Sequence, residues 1–165
     1  MAHKCFLSYN AADKAAVDDF CATYAGSFIR RGMKMEEDII DSTDTDYVMR
    51  RIRELYLQDS TVTIVLVGRC TWARRFVDWE VQASLRNPAD GYPNGLVAVQ
   101  LWESYTKLPN RVQLNRDSEY AKFYKKPTSS KSLENMIDEA WDARFEKQNL
   151  VVNPRERFSY NRSCD

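Results

Sequence analysis

The segment from Thr61 to Leu85 reads TVTIVLVGRCTWARRFVDWEVQASL, and it predicts a buried strand followed by a helix. The strand is a run of β-branched and apolar residues that ends at Gly68, a pattern typical of a strand covered on both faces. A short polar turn follows, in which Thr71 is a candidate N-cap for the helix. This order of elements favours an α/β domain.

The predicted helix has a polar face and an apolar sector when its residues are spaced by about 100°. The polar face holds Arg74, Arg75, Asp78, Gln82 and Arg86. Glu80 does not join this face, because it falls between Phe76 and Val77 in the apolar sector. A carboxylate at a core-facing position is costly unless it is paired or faces a cavity. Glu80 is therefore either a candidate for chemistry in a cleft or a structural carboxylate that pairs with an arginine or reaches the edge of the face.

Composition indicates one globular domain. The chain has 165 residues, of which 44% are hydrophobic and 29% charged, so it can bury a real core. Its 24 basic residues balance 24 acidic ones, so no overall field favours nucleic acid or an anionic membrane. The longest apolar runs have the length of strands and are too short to span a bilayer. We therefore expect no nucleic-acid and no membrane partner.

The cysteines and the single histidine argue against several kinds of site. The four cysteines form no close pair, so no structural zinc site is indicated and no metal is predicted. His3 lies at the extreme N-terminus, which argues against a Ser-His-Asp or Cys-His hydrolase. The N-terminus lacks a signal-peptide pattern, and we expect a reducing, cytoplasmic location.

Strands and helices are expected to alternate along the rest of the first hundred residues. A first strand is predicted at 4–9, and a helix from Ala11 to about Arg31 with Gly32 as its C-cap. The further predicted elements are a short strand at 37–40, a polar loop at 41–46, a helix carried by Val48, Ile52 and Leu55, and a buried strand at 95–101.

The pattern is weaker after Trp102. Residues 103–130 show no clear period and are predicted to be a long loop, which in a compact domain is either functional or a misread element. A final helix is expected within 131–149. Its apolar stripe holds Leu133, Ile137, Ala140, Trp141 and Phe145. The tail at 150–165 is expected to wrap the surface or to pair with another subunit.

Together these elements predict a single domain over residues 1–165 with its core at about 4–102. The alternation of strands and helices favours a flavodoxin-like three-layer α/β sandwich around a central parallel sheet. The crossovers should be right-handed.

Ligands of open α/β sheets bind outside the carboxyl ends of the strands, where three polar segments should meet. These segments are 6–9, 41–46 and 68–80. Each has a structural alternative. Ser8 and Tyr9 can end a strand and begin a turn, and the aspartates of the second segment can be helix N-caps. Trp72, Phe76 and Trp79 can be core residues rather than a stacking platform.

Several nucleotide-binding classes are excluded by missing motifs. Neither GxGxxG nor GxxxxGK[ST] is present, so P-loop and Rossmann sites are not expected. A phosphoacceptor receiver needs an acidic pair after the first strand and an aspartate after the third. Ser8, Tyr9 and Gly68 occupy those positions, which argues against a receiver.

Three motifs together resemble TIR-like domain proteins. They are KCFLSY at 4–9, the valine-rich strand that ends at Gly68, and WARRFVDWE at 72–80. The resemblance covers about 4–102 and is strongest to the small bacterial TIR-like proteins that include the Thoeris anti-phage sensors. Two features differ from the better-known TIR pattern. Phe76 stands where that pattern has a tryptophan four residues before the glutamate, and 41–46 lacks the Arg-Asp…Pro-Gly signature of receptor TIR domains.

The resemblance implies a function and a set of site residues. In enzymatic members, a glutamate on the helix after the third strand binds the nicotinamide-bearing ribose of NAD+, which gives Glu80 the catalytic role. Phe6 and Ser8 match residues that line the nucleotide pocket, and Trp72 and Arg75 match positions near the same cleft. The predicted substrate-binding set is Phe6, Ser8, Tyr9, Asp41, Trp72 and Arg75.

Cleavage of the nicotinamide–ribose bond is consistent with one carboxylate and no histidine. The reaction builds oxocarbenium character on the ribose, which a fixed carboxylate in a water-poor pocket can stabilise. NAD+ is then the substrate, and no cofactor is expected. The resemblance further implies a cyclic or modified ADP-ribose messenger that activates a separate effector, self-association, and a phage-derived trigger protein.

Two other functions remain open from the sequence. The first is a non-catalytic TIR interaction or assembly module in which Glu80 is structural. The second is a nucleoside deoxyribosyltransferase-like enzyme, which shares the fold, uses a glutamate nucleophile and is indifferent to NAD+.

Overall fold

The computed structural model describes residues 2–31, 44–57, 59–86 and 91–164. Within these residues it has a five-stranded sheet flanked by helices. The strands are β1 (Lys4–Ser8), β2 (Ile29–Arg31), β3 (Val62–Val67), β4 (Gly95–Gln100) and β5 (Lys122–Tyr124). The helices are α1 (Lys14–Thr23), α2 (Thr45–Arg51), α3 (Arg75–Leu85), α4 (Asn110–Asp117) and α5 (Ser130–Glu146). Short 3₁₀ turns lie at Ala11–Asp13, Thr71–Ala73 and Gln148–Leu150, and a π-helical segment, Ile52–Leu57, continues α2.

The strand order is β2-β1-β3-β4-β5, and every neighbouring pair is parallel. This is the flavodoxin-like order, so the predicted fold class is confirmed. The order reverses between β1 and β3, which makes the carboxyl ends of these two strands the topological switch point of the sheet. Ser8, at the end of β1, pairs with Val65 of β3.

The central strand β3 is buried at every position, as its apolar run predicts. Because side chains alternate along a strand, those on one face of β3 pack into one core and those on the other face pack into a second core. Ile64 and Leu66 pack in a cluster with residues of α1 and α5, and Val65 and Val67 pack with residues of α3 and α4. The sheet is therefore covered on both faces, as predicted.

The predicted helix from Ala11 to Arg31 is too long. Helix α1 ends at Thr23, Gly26 adopts a φ of +91°, and the chain returns as β2 beside β1. Phe28 continues the helical spacing of apolar residues, but it reaches the core from the loop, with its ring 6.4 Å from that of Phe20. The predicted C-cap Gly32 and the predicted strand at 37–40 lie outside the described residues.

Two further predictions are wrong in detail. Residues 103–130 are not one long loop, because they contain α4 and β5. The buried residues of α4 include Arg111 and Asn115, so this helix has no apolar period to detect. Thr71 does not cap α3. Its hydroxyl accepts a hydrogen bond from the Gly68 amide at 2.8 Å and donates to the Leu66 carbonyl at 3.5 Å.

The final helix is confirmed as α5. Ser129 caps it by accepting a hydrogen bond from the Ser132 amide at 3.0 Å, and Leu133 and Ile137 are fully buried. At Gly95 the helix approaches β4 so closely that a Cβ atom would lie 2.1 Å from the Ala140 carbonyl oxygen. The stripe ends at the surface, because Phe145 is 43% exposed.

The C-terminal segment 151–164, which we call the strap, wraps the surface of its own chain over α3 and α4. The first of the two predicted arrangements of the tail is thus observed. Its end is joined to the turn before α3 by a disulfide between Cys70 and Cys164, which are separated by 94 residues. The sequence did not predict this pair, because a reducing location was expected and disulfides are rare in such a location. The disulfide does not fit the expected reducing location. In the part of the chain that the structure describes, no helix is long and apolar enough to cross a membrane.

Candidate active site

Glu80 and Ser8 meet at the switch point. Ser8 is the last residue of β1 and is fully buried, and its hydroxyl donates a hydrogen bond of 2.7 Å to Oε1 of Glu80 on α3. Glu80 itself is half-buried. Hydrogen bonds to a carboxylate are stronger than those between neutral groups, and they fix its orientation. The two strongest candidates from the sequence therefore form one unit at the edge where ligands of this fold bind.

A buried polar network fixes α3 against β3 beside Glu80. Ser84 donates a hydrogen bond of 2.8 Å to the Glu80 carbonyl, and its hydroxyl lies 2.7 Å from that of Thr63 on β3. The Asn94 amide donates to the same Thr63 hydroxyl at 3.2 Å. Buried polar groups that are all paired hold their elements in one arrangement. The network thus sets the position of α3 from which Glu80 reaches Ser8.

An apolar cluster lies behind the Ser8–Glu80 pair. Phe6 is 2% exposed and packs with Val48 of α2, Ile52 of the π-helical segment and Trp79 of α3. In this structure Phe6 is part of the core next to the candidate site. Trp79 is also buried, with Phe76 in an edge-to-face contact at 5.4 Å. The structural alternative for Trp79, a core residue, is the one observed.

The other sequence candidates do not converge on Glu80. Tyr9 packs against the opposite core, and its hydroxyl accepts a hydrogen bond of 3.2 Å from Arg30. The ammonium group of Lys107 lies over the ring of Trp72, 3.3 Å from the ring centroid.

Arg75 and the aspartate loop complete the candidate set. Arg75 points about 140° away from Glu80 around α3, and its guanidinium donates to the Ser159 carbonyl of the strap at 3.4 Å. Asp41 lies outside the described residues. Of the same loop, Asp44 accepts a hydrogen bond of 3.3 Å from the Tyr47 amide, which is an N-cap contact for α2.

The polar face of α3 is covered by the strap through a buried ion pair. Asp78 accepts a hydrogen bond of 3.0 Å from Nε of Arg111 on α4, and both side chains are less than a tenth exposed. The remaining guanidinium nitrogens bind the Asn153 side chain and the carbonyls of Pro154 and Glu156, at 2.7–2.9 Å. This partnership could not be predicted from the local pattern, because Asp78 is one of several charges on a helix face that resembles a solvated one.

The strap also contacts the residue beside the candidate catalytic glutamate. The indole of Trp79 donates a hydrogen bond of 2.8 Å to the Phe158 carbonyl, and the Phe158 amide donates to Asp78 at 2.9 Å. At the start of the helix, the Arg75 amide donates to the Asn161 side chain at 2.9 Å. The strap therefore holds the outer face of α3 while β1 and β3 hold its inner face.

A second carboxyl group, Asp13, lies at the same edge of the sheet and was not singled out from the sequence. It follows β1 in the 3₁₀ turn before α1, and its Oδ2 atom lies against Gly68 at the end of β3. Burial raises the pKa of the Asp13 carboxyl above its usual value. Within the described residues, no group of three or more His, Cys, Asp or Glu side chains could hold a metal ion.

These features define a doubly wound α/β domain with an oriented carboxylate at its switch point. A family model for the TIR-like domain of the Thoeris protein ThsB matches residues 6–106, so the chain belongs to this family of TIR-like domains. The match begins within β1, includes β3, β4 and the helix that carries Glu80, and ends before α4. A comparison with curated proteins found no match.

Proposed function

We propose that this TIR-like domain cleaves the nicotinamide–ribose bond of NAD+ and releases a cyclic or modified ADP-ribose as a signal in anti-phage defence. The observation that carries the proposal is the hydrogen bond of 2.7 Å between Ser8 and Glu80 at the switch point. The family match supports a role in Thoeris defence. The signal would act on a separate effector, so the protein and its effector need not touch.

The chemistry assigned to Glu80 follows from its charge and its fixed position. As nicotinamide leaves with the electron pair of the C–N bond, positive charge develops on the ribose. A carboxylate already oriented by a hydrogen bond stabilises that charge without first reorganising. Nicotinamide leaves as a neutral molecule, so the departure requires no acid. This is consistent with a chain whose one histidine, His3, lies directly before β1, at the opposite edge of the sheet.

The direct test is nicotinamide release from NAD+ by the purified protein, alone and with lysate of phage-infected cells. We expect release, with a product that mass spectrometry identifies as a cyclic or modified ADP-ribose. The lysate arm is needed because the family resemblance implies a phage-derived trigger and self-association. Unchanged NAD+ in both arms would contradict the proposal and favour a non-catalytic assembly module. Exchange of bases between nucleosides, with NAD+ untouched, would favour a deoxyribosyltransferase-like enzyme.

Ser8→Ala tests whether the hydrogen bond to Glu80 matters for turnover. A hydrogen bond to a charged group contributes about 1.5–3 kcal/mol, so we expect kcat to fall by about 10- to 100-fold. KM should change less, because the hydroxyl acts through Glu80. Ser130→Ala, at the exposed start of α5, is the matched control and should behave as wild type. Equal kcat values for Ser8→Ala and the control would show that Ser8 only ends the strand.

A further inference from the structure

Asp13 occupies the N-cap position of α1 but does not cap the helix. Its side chain makes no capping hydrogen bond, although an aspartate at this position normally accepts one and stabilises the helix by about 1 kcal/mol. The carboxyl group is turned toward the end of β3 instead. A role in helix capping therefore does not explain this side chain.

The space that Asp13 occupies exists because residue 68 is a glycine. A Cβ atom at position 68 would lie 2.1 Å from Oδ2 of Asp13, so a larger residue there would require the carboxyl group to move. Oδ2 is shielded from solvent and has no hydrogen-bond partner among the described residues. Most buried polar atoms are paired, and the exceptions call for an explanation such as a catalytic role.

Asp13 and Glu80 flank the switch point from opposite sides. Glu80 approaches from α3, and Asp13 approaches from the start of α1, on the other face of the sheet. Ser8 is in register with Val65, and Gly68 follows Val65 by three residues, or about 10 Å along the strand. Both carboxyl groups therefore lie near the carboxyl ends of β1 and β3, where ligands of this fold bind.

We propose that Asp13 is a second catalytic carboxylate, which accepts the proton of the hydroxyl group that replaces nicotinamide on the ribose. The inference rests on the proposed cleavage of NAD+. The C–N bond breaks and its electron pair leaves with nicotinamide. The oxygen of water, or of a hydroxyl group of the ADP-ribose itself, forms the new bond to the same carbon, and its proton passes to Asp13. Glu80 remains ionised throughout.

The protonation behaviour of Asp13 is consistent with this role. Burial raises the pKa of its carboxyl, which brings the group closer to the pH at which it must accept a proton. Glu80 accepts a hydrogen bond from Ser8, which fixes the orientation of its carboxylate. Two carboxyl groups in different surroundings can thus take different parts in one reaction.

The test is nicotinamide release by wild type and Asp13→Asn, with and without azide. Removing a general base costs about 10²–10⁴-fold, so we expect release by Asp13→Asn to fall at least 100-fold. Azide is an anionic nucleophile with no proton to lose, so it should restore release in Asp13→Asn but not in Glu80→Gln. Asp19→Asn, an exposed aspartate of α1, is the matched control and should behave as wild type.

Three outcomes separate this inference from the proposed function. An inactive wild type contradicts the cleavage of NAD+ itself. An active wild type with an equally active Asp13→Asn variant contradicts only the role of Asp13. Loss of release in Asp13→Asn that azide does not restore would also overturn the proposed proton transfer.

The pH dependence of stability tests whether the Asp13 carboxyl stabilises the fold. The pKa of Asp13 is higher in the folded than in the unfolded state, so its ionisation destabilises the fold as pH rises above the unfolded value. Asp13→Asn removes this ionisation. We expect its Tm to equal or exceed that of wild type at pH 7, with the difference vanishing as pH falls toward about 4. A lower Tm of the variant at every pH would indicate a structural role.

Discussion

Glu80→Gln is expected to lower nicotinamide release from NAD+ by about 10²–10³-fold, the usual cost of removing one fixed electrostatic stabiliser of a transition state. Glutamine has the same shape but no charge. Ser8 can still donate its hydrogen bond to the amide oxygen, so the packing of α3 against β1 should persist. The expected loss is therefore one of chemistry and not of folding.

Glu146→Gln is the matched control for this variant. Glu146 is the exposed last residue of α5, and its substitution removes the same charge far from the switch point. Both variants should unfold at about the wild-type temperature. If Glu80→Gln kept more than about a tenth of the wild-type rate, the charge of Glu80 would not be the source of transition-state stabilisation.

Arg111→Met is expected to lower the free energy of unfolding by about 3–5 kcal/mol, the usual cost of breaking a buried ion pair from one side. The substitution leaves Asp78 buried without its cation, and it removes the donors that hold the strap at Asn153, Pro154 and Glu156. Urea denaturation measures the change. Limited proteolysis should cut the strap faster than in wild type.

Arg116→Met on the same helix provides the comparison for Arg111. Arg116 is exposed, with its guanidinium 5.4 Å from the centroid of the Phe123 ring, so its loss should cost no more than about 1 kcal/mol. Equal destabilisation by the two substitutions would show that the buried pair contributes no more than a surface contact.

The sheet was predictable because its strands carry strong local patterns. β3 and β4 are short, mainly apolar runs rich in β-branched residues, a pattern typical of strands covered on both faces. Helix α4 was missed because its buried side chains are largely polar. Arg111 and Asn115 are buried because the strap supplies their partners, and the strap is some forty residues away in the sequence. A local reading of hydrophobicity cannot detect that kind of burial.

The candidate site was predictable in part, because two of its residues stand out from a local sequence pattern. Glu80 stands out because a charge interrupts the apolar sector of one helix, and Ser8 because it ends a strand. Asp13 gives no such signal, since an aspartate at the start of a helix is a common N-cap. Its position shows only when β1 and β3 are brought side by side and Gly68 leaves room for the carboxyl group. Arg75 was predicted near the cleft, but it lies on a different face of α3 from Glu80. Its guanidinium contacts the strap instead.

The most direct test of the account is a crystal structure of the Glu80→Gln variant with bound NAD+. Loss of the carboxylate should leave the substrate intact in the site. We expect the hydroxyl groups of the nicotinamide-bearing ribose to lie within hydrogen-bonding distance of the side chain at position 80, with the ribose between α3 and the end of β3. NAD+ bound elsewhere, for example in the cavity lined by His3 and Trp141 at the opposite edge of the sheet, would contradict the assignment of Glu80 as the catalytic residue.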